Sequence, residues 1–229
     1  MKYKTRGIVL NYIKYGDSSI IVKIYTEAFG LQTYIINGIR KPRSKWNMAY
    51  FQTLTLLHLV VYHKKNGGIN RISEVSYLGQ SSILPSQVKK IAMALFLSEV
   101  LSKSLKEETE NKIQFQFLYS SIKMFYDLES DYESFHLQFL MKFSKYLGFE
   151  PHSAQVVISE MDASPTNIVV SKRDLEFIEN LRLLPYDNPP KMNNQNRRSV
   201  LNVILAFYSL HMGTFGHFKS HQILKEVLN

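Results

Sequence analysis

The first 80 residues contain five short segments that are rich in Ile, Val, Tyr and Thr and are separated by turn-forming residues. In order, they read RGIVLNYIKY, SSIIVKIYT, LQTYIING, FQTLTLLHLVVYH and INRISEVSYL. Within the second segment Ile20, Val22 and Ile24 occupy alternate positions, which is the period of a β-strand with one buried face. Five strands with Gly-containing turns between them predict a small β-barrel of the OB type.

The pattern changes to helix after Pro85. The stretch SQVKKIAMALFLSEVLSKSL places apolar residues at helical spacing, and Ser86 is its predicted N-cap. Further helices are predicted at about residues 112–128, 132–147, 173–181, 197–211 and 219–228. Together these patterns predict an α+β protein, with an OB-type barrel over residues 1–80 and a mostly α-helical domain over residues 81–229.

The net charge of +9 is concentrated in the predicted barrel. Residues 1–80 carry 12 Lys and Arg against 3 Asp and Glu, whereas residues 81–229 carry 16 of each sign. An excess of cations confined to one segment favours a surface that binds a polyanion. The alternative is a basic face that contacts only solvent.

The stretch NGIRKPRSKWN, residues 37–47, is the most basic part of this segment. Gly38 and Pro42 argue against helix and central strand, so we expect a loop that holds its cations in solvent. A protein that binds single strands needs cations for the phosphates and aromatic faces for the bases.

Residues of both kinds occur throughout the predicted barrel. The candidate DNA-binding residues are Arg6, Lys14, Lys23, Arg40, Lys41, Arg43, Lys45, Trp46 and Arg71. Further candidate stacking platforms are Tyr12, Tyr15, Tyr34 and Tyr50. For Trp46, the chain's only tryptophan, packing on the barrel end is the alternative role.

Several classes of function lack support in the sequence. The chain has no apolar run of about 18 residues and its start lacks the apolar core of a signal peptide, so we expect a cytoplasmic location. The absence of cysteine excludes disulfides and thiolate zinc sites. His217 and His221 have the spacing of a metal site on a helix, but Glu226 is the only carboxylate near them. The motifs of hydrolases, NTPases and dinucleotide-binding enzymes are missing, and we expect neither catalysis nor a cofactor.

Four longer stretches, in order along the chain, match the residue spacing of known family motifs. They read TRGIVLNYIKYGDSSIIVKIYTEAFGLQTYIINGIRKPRS, LFLSEVLSKSLKEETENKIQFQFLYSSI, FHLQFLMKFSKYLGFEP and FYSLHMGTFGHFKSHQILKEVL. In this order they resemble the RecO family of bacterial recombination mediators, and the resemblance covers nearly the whole chain.

The resemblance implies a DNA repair protein that binds single-stranded DNA, anneals complementary strands and assists recombinase loading onto strands coated by single-strand-binding protein. It implies two partners, RecR and the acidic carboxyl tail of the single-strand-binding protein, and a cytoplasmic, nucleoid-associated location. Cations of the helical domain that can meet such a tail are Lys142, Lys145, Arg197, Arg198 and Lys219. For each of them an ordinary solvated charge is the alternative.

The chain departs from the family in one respect. Many members carry a four-cysteine zinc site after the LGFEP segment, whereas GFEPHSAQVVISEMDASPTN contains no cysteine. We expect residues 151–171 to be irregular, with a short strand at 167–170 and His152 in a loop. Apolar packing or a shorter loop must then replace the metal crosslink, and the apolar candidates are Val156, Val157, Ile158 and Met161.

Two other binding functions remain open. An OB-type barrel can also bind structured RNA, for example in ribosome assembly, and composition does not separate RNA from DNA because both present phosphates. The second is a protein-only adaptor whose basic loop contacts an acidic partner, and such an adaptor would bind little nucleic acid.

Overall fold

In a computed structural model, the chain forms two compact units, Met1–Asp127 and Leu128–Asn229. The structure describes residues 1–64, 68–79, 83–162, 168, 170–213, 215 and 218–228. Both units contain buried hydrophobic side chains of their own. Within the described ranges, no helix has the length and apolar content needed to cross a membrane.

Five strands form a closed barrel in the first unit. They are β1 (Lys2–Tyr15), β2 (Ser19–Thr26), β3 (Gly30–Ile36), β4 (Leu56–Tyr62) and β5 (Asn70–Tyr77). Their order around the barrel is β1-β2-β3-β5-β4, and β4 pairs with β1 to complete the circle. All neighbours are antiparallel except β3 and β5. The predicted OB-type barrel and the α+β class are confirmed.

Alternation builds the barrel wall as predicted. Ile20, Val22 and Ile24 of β2 point into the core and are fully buried, whereas Lys23 between them is exposed. The long strand β1 serves two neighbours, because its first half pairs with β4 and its second half with β2. A β-bulge at Leu10 interrupts the pairing with β2, and such a bulge bends the strand that carries it.

A short parallel contact between β3 and β5 closes the barrel. It consists of the pairs Tyr34–Asn70 and Ile35–Arg71. Asn70 is buried, and its side-chain amide donates a hydrogen bond to Oε1 of Gln32 at 2.9 Å. Because a buried amide must be hydrogen-bonded to avoid a large free-energy penalty, this bond helps to fix the register of β5.

Two helices, α1 (Val88–Ser104) and α2 (Lys112–Asp127), belong to the same compact unit as the barrel. The compact units therefore divide after residue 127, whereas the sequence pattern changes near residue 80. The predicted N-cap Ser86 is wrong, because α1 follows Gln87, whose side chain makes no capping hydrogen bond.

Side-chain hydrogen bonds join the barrel to both helices. On α1, the Ser102 hydroxyl accepts a hydrogen bond from the Asn11 amide at 2.8 Å. On α2, the Tyr126 hydroxyl donates to the carbonyl of Leu54 at 2.8 Å. Leu54 has a φ of 59°, which residues with a Cβ rarely adopt, so the bond from Tyr126 helps to hold a strained connection in place.

Arg6 links β1 to the β2–β3 turn and to α2. Its guanidinium donates two hydrogen bonds to Glu27, at 2.9 Å and 2.6 Å, and one to Gln116 at 3.2 Å. It also lies 5.2 Å from the ring centre of Phe115 and 5.1 Å from that of Tyr119. The hydrogen bonds from Arg6 lower the pKa of Glu27, so the carboxylate stays ionised and paired.

The second unit is helical. Short 3-10 turns flank the first helix, and the helices are α3 (Phe135–Phe143), α4 (Ala154–Asp162), α5 (Lys172–Leu183), α6 (Asn194–Met212) and α7 (Lys219–Val227). Helix α3 packs against α5 and α6, and its Phe135, Phe139 and Phe143 are buried. The Tyr208 hydroxyl of α6 donates to the Leu140 carbonyl of α3 at 2.6 Å. The helices predicted from the sequence beyond residue 130 are present, with their ends shifted by a few residues.

Helix α4 corrects the prediction of an irregular segment over residues 151–171. Two of the four apolar candidates, Val157 and Met161, are buried, and the other two are half-buried. The helix packs against α5 and α6. Packing of apolar residues is therefore present where the zinc-bearing relatives are expected to have a metal crosslink.

Two polar contacts also hold α4. Glu179 of α5 accepts a hydrogen bond from the Ala154 N–H at 2.9 Å, which satisfies a free N–H group at the start of the helix. Near the other end, Glu160 lies 2.8 Å from Nε2 of His211 on α6. Both partners are distant in sequence, so these contacts stabilise the fold of the second unit rather than the isolated helix.

The remaining sequence predictions for this region concern a strand and a metal site. Ile168 and Val170 are not in a strand, whereas Asn167, Val169 and His217 lie outside the described residues. In the part of the chain that the structure describes, no three His, Asp or Glu side chains come together as a metal ion would require. The residues present therefore do not fit the family's zinc site.

Replacing Arg6 by Ala should destabilise the first unit by about 1–3 kcal/mol, because it removes charged hydrogen bonds and leaves Glu27 without its partner. The only tryptophan, Trp46, lies in this unit, so urea unfolding followed by its fluorescence measures the change. Lys23→Ala is the control, and its effect should stay below about 0.5 kcal/mol since Lys23 is exposed. Equal losses in the two variants would contradict the role assigned to Arg6.

The stability of the second unit should depend on the protonation of His136 on α3. Burial lowers the pKa of this imidazole to about 3, and the positive charge of Arg197 acts in the same direction. In the unfolded chain a histidine titrates near pH 6.5, so the unfolded state takes up the proton first as the pH falls. The free energy of unfolding should therefore decrease from about pH 6.5 towards pH 3, by up to about 1.4 kcal/mol per pH unit.

Urea unfolding followed by far-UV circular dichroism at several pH values tests this dependence. His136→Leu should flatten the pH dependence, because the unfolded variant has no imidazole at this position to take up a proton. His152→Gln is the control, since His152 is exposed, and it should leave the dependence unchanged. The prediction fails if His136→Leu retains the pH dependence of the unmodified protein.

Candidate nucleic-acid interface

Two loops lie at the same end of the barrel. One is the turn between β1 and β2, and the other is the basic loop that follows β3. They share an end because β1 and β3 are both antiparallel to the strand between them, so both finish at the same side. We call residues 14–18 and 37–47 together the basic end.

Two hydrogen bonds join the two loops, and a third joins the first residue of β2 to the basic loop. The backbone N–H of Arg40 donates to the Ser18 carbonyl at 3.0 Å, and its Nη2 donates to the Gly16 carbonyl at 2.5 Å. The Ser19 hydroxyl donates to Oδ1 of Asn37 at 3.3 Å. The turn and the basic loop therefore form one connected surface.

Five cations of the basic end are exposed, namely Lys14, Arg40, Lys41, Arg43 and Lys45. Its single acid is Asp17 in the turn. Arg43 has a φ of 63°, the left-handed conformation that glycine adopts more readily than any residue with a Cβ. The basic end therefore presents a positively charged surface with Asp17 as its one acidic residue.

Trp46 packs against the barrel core. Trp46 is half-buried, and its ring meets that of Phe51 edge-on at 6.4 Å between ring centres. Nζ of Lys45 lies 5.0 Å from the centre of the Trp46 ring. This is the packing that the sequence leaves open as the alternative to base stacking. Any contact of Trp46 with a base would use the part of the ring that stays exposed.

The tyrosine candidates divide by the face on which they lie. Tyr34 is fully buried in the barrel core, so its prediction as a stacking platform is wrong. Tyr12 and Tyr50 are half-buried against the same core, and the Tyr50 ring lies 4.5 Å from that of Tyr77. Tyr15, at the end of β1, is 53% exposed and is the most accessible of the four.

A row of outward-facing side chains runs across the barrel beside the basic end. The strand register places Ile13, Ile21, Ile35 and Arg71 side by side on β1, β2, β3 and β5. Ile13 is 60% exposed and Arg71 is exposed, whereas the two residues between them are half-buried. Lys23 is exposed on the same face of β2. Arg71 and Lys23 could be predicted as binding residues from their charge. Ile13 was not predicted, because only the pairing register shows that it belongs to this row.

Glutamates lie at the opposite end of the barrel together with two cations, Lys106 and Lys112, and Lys112 pairs with Glu110 at 3.3 Å. The exposed segment KEETE, residues 106–110, lies against the β2–β3 turn. There the Glu107 carbonyl accepts the N–H of Leu31 at 3.0 Å, and a Cβ on Gly30 would lie only 2.4 Å from a backbone oxygen of the segment. Arg6, a predicted DNA contact, pairs with a carboxylate of this turn, and we do not include it in the basic end.

In the second unit, Arg197 and Arg198 line a small pocket between α6 and α7. The lining residues are His136, Asn194, Arg197, Arg198, Leu201, Leu224, Lys225 and Leu228. Arg198 is exposed and donates to the Lys225 carbonyl at 3.1 Å. Arg197 is half-buried, and burial lowers its pKa. The pocket combines cations with three leucines, and the sequence analysis missed the contribution of Lys225.

The other three predicted partner contacts are not among the lining residues of this pocket. Lys142 is half-buried, its ammonium donates to the Arg182 carbonyl at 3.2 Å, and it lies 5.8 Å from the ring centre of Tyr186. Lys145 is exposed on the 3-10 turn after α3. Lys219 is exposed at the first position of α7.

Two family profiles match the chain. The family described as Recombination protein O N terminal matches residues 1–80, and the family described as Recombination protein O C terminal matches residues 85–221. The first match spans the barrel, and the second spans most of the helices.

Proteins named DNA repair protein RecO match over the whole length. The one from Christiangramia forsetii is 30% identical over 241 residues, which cover 99% of each chain. Those from Azobacteroides pseudotrichonymphae and Bacteroides fragilis are 31% and 30% identical over 242 residues, which cover 100% of both chains. Because the family profiles and the full-length relatives agree, this chain belongs to the RecO family of DNA repair proteins.

Proposed function

We propose that this protein binds single-stranded DNA at the basic end and the adjoining outer row, anneals complementary strands, and assists recombinase loading onto strands coated by single-strand-binding protein. One observation carries the proposal: five exposed cations adjoin a row of outward-facing side chains, which includes the exposed Ile13, at one end of the barrel, and the glutamates of residues 106–110 lie at the other. Membership of the RecO family supports the role in DNA repair.

Each part of this surface suits one part of a single strand. Lys41, Arg43 and Lys45 have flexible or forked cationic groups in solvent, which suit phosphates. Tyr15 and Ile13 are the exposed aromatic and apolar groups, which suit unstacked bases. Single strands offer phosphates and unstacked bases together, whereas duplex DNA hides its base faces.

Annealing by such a surface needs no catalytic residue and no cofactor. Two strands repel each other through their phosphates, and bound cations screen this repulsion and lower the barrier to pairing. Structured RNA carries the same phosphates, so competition between a DNA single strand and a structured RNA of equal length separates the proposal from an RNA-binding role. We further propose that the protein acts in the cytoplasm, at the nucleoid.

The pocket between α6 and α7 supports a second binding role within the same function. An acidic, apolar peptide tail requires cations for its carboxylates and a hydrophobic cleft for its side chains. Arg197 and Arg198 supply the cations. Beneath them Leu201, Leu224 and Leu228 are buried around a cavity of about 20 Å³, which has to widen before it can take an apolar side chain. We propose that the carboxyl tail of the single-strand-binding protein docks here. RecR is a further proposed partner, on the strength of the family relationship alone.

The triple variant Lys41→Ala, Arg43→Gly, Lys45→Ala should bind single-stranded DNA more weakly. Its logarithmic salt slope should fall by about 2, because each lost phosphate contact on a single strand removes about 0.7 from the slope. Glycine at position 43 adopts the left-handed backbone without strain, and the substitution removes the charged side chain. Fluorescence anisotropy of a labelled oligonucleotide over a range of salt concentrations measures both quantities.

The control variant is Lys172→Ala, Arg173→Ala, Lys191→Ala, which removes three exposed cations from the second unit and gives the same net charge. It should retain the salt slope of the unmodified protein. Annealing of complementary oligonucleotides should follow the same order as binding. If both triple variants have the same slope, the basic end is not the DNA-binding surface.

Arg198→Glu should weaken the binding of a peptide with the sequence of the cognate single-strand-binding protein's acidic tail by more than about tenfold, because it reverses a charge at the pocket. Isothermal titration calorimetry measures the affinity. Lys145→Glu makes the same charge change outside the pocket and should leave the affinity nearly unchanged. Equal losses in the two variants would exclude this pocket as the docking site.

A further inference from the structure

Arg40 differs from the other cations of the basic loop in what it contacts. Its side chain donates to the Gly16 carbonyl at 2.5 Å, and its backbone N–H donates to the Ser18 carbonyl at 3.0 Å. Both acceptors belong to the turn between β1 and β2. Among the described residues, the side chains of Lys41 and Arg43 have no hydrogen bond or ion pair with protein groups. Arg40 alone joins the basic loop to the turn with both its backbone and its side chain.

This joint matters because the two loops carry different parts of the proposed DNA surface. Lys14 and Tyr15 precede the turn, and the other exposed cations of the basic end lie on the basic loop. Separate loops would each lose conformational entropy on binding the same strand, whereas loops already held together lose less. A rigid guanidinium that reaches a backbone carbonyl is suited to such a link, since its donors lie in a fixed plane.

We propose that Arg40 is a positioning residue: it holds the β1–β2 turn and the basic loop in one arrangement, so that cations of both loops engage the same DNA strand, and it contacts no phosphate itself. The proposal rests on the DNA-binding function proposed above. Arg40 is then not one of the phosphate contacts predicted from the sequence. Its guanidinium instead donates a hydrogen bond that joins the two loops.

Two substitutions at this position separate positioning from phosphate contact. Arg40→Lys keeps the charge but replaces the planar fork by a single ammonium, and Arg40→Ala removes both. For a positioning residue, each variant should bind a single-stranded oligonucleotide about fivefold more weakly than the unmodified protein, with an unchanged salt slope. For a phosphate contact, Arg40→Ala should lower the slope by about 0.7, and Arg40→Lys should bind almost normally.

Two matched variants calibrate the measurement. Lys41→Ala removes a neighbouring exposed cation and should lower the salt slope by about 0.7. Ser19→Ala removes the uncharged contact with Asn37 and should weaken binding about twofold without changing the slope. Hydrogen exchange reports the joint directly: backbone amides of residues 15–19 and 38–41 should exchange faster in both Arg40 variants but not in Lys41→Ala.

Normal binding by Arg40→Lys, or a slope for Arg40→Ala that falls as far as that of Lys41→Ala, overturns the positioning role and leaves the DNA-binding proposal standing. Native exchange rates in the Arg40 variants also overturn it. An unchanged affinity in the triple variant of the basic loop overturns the DNA-binding surface, and the role of Arg40 falls with it.

Discussion

The parallel contact between β3 and β5 is the constraint on which the barrel depends. Without its two pairs, the five strands would form an open sheet with two unpaired edges. Closure places Arg71 beside Ile35 and so makes the outer row continuous across four strands. The buried hydrogen bond from Asn70 to Gln32 favours this closure, because another register would break it and leave the Asn70 N–H donors and the Gln32 Oε1 acceptor without this partner.

The sequence predicted the features that arise from local patterns. The alternation of apolar residues was enough to predict the buried face of β2. Gly38 and Pro42 were enough to predict the basic loop. Residue type alone misplaced Tyr34, because only the pairing of β3 determines that it faces the core. Arg6 has the charge of a DNA contact, but its partner Glu27 lies 21 residues away and no short pattern connects them. Helix α4 escaped prediction for a similar reason, since the carboxylate that caps it comes from α5.

Helix α4 of the second unit is held without thiolate ligands, because the chain has no cysteine. In place of thiolates, α4 has buried apolar side chains, a capping carboxylate and a contact between Glu160 and His211. Each of these interactions is weaker than a structural zinc site, but together they act on both ends and one face of the helix. The pocket between α6 and α7 uses other residues of this unit, so it does not require the metal.

The arrangement of charge on the barrel has a consequence for the speed of association. The cations at one end of the barrel and the glutamates of residues 106–110 at the other give this unit an electric dipole moment. In the field of a polyanion such a body rotates before contact, so collisions occur with the positive end leading. Productive encounters then become more frequent than random orientation would allow, and a strand that is exposed only briefly can be captured before it re-forms structure or binds a competitor.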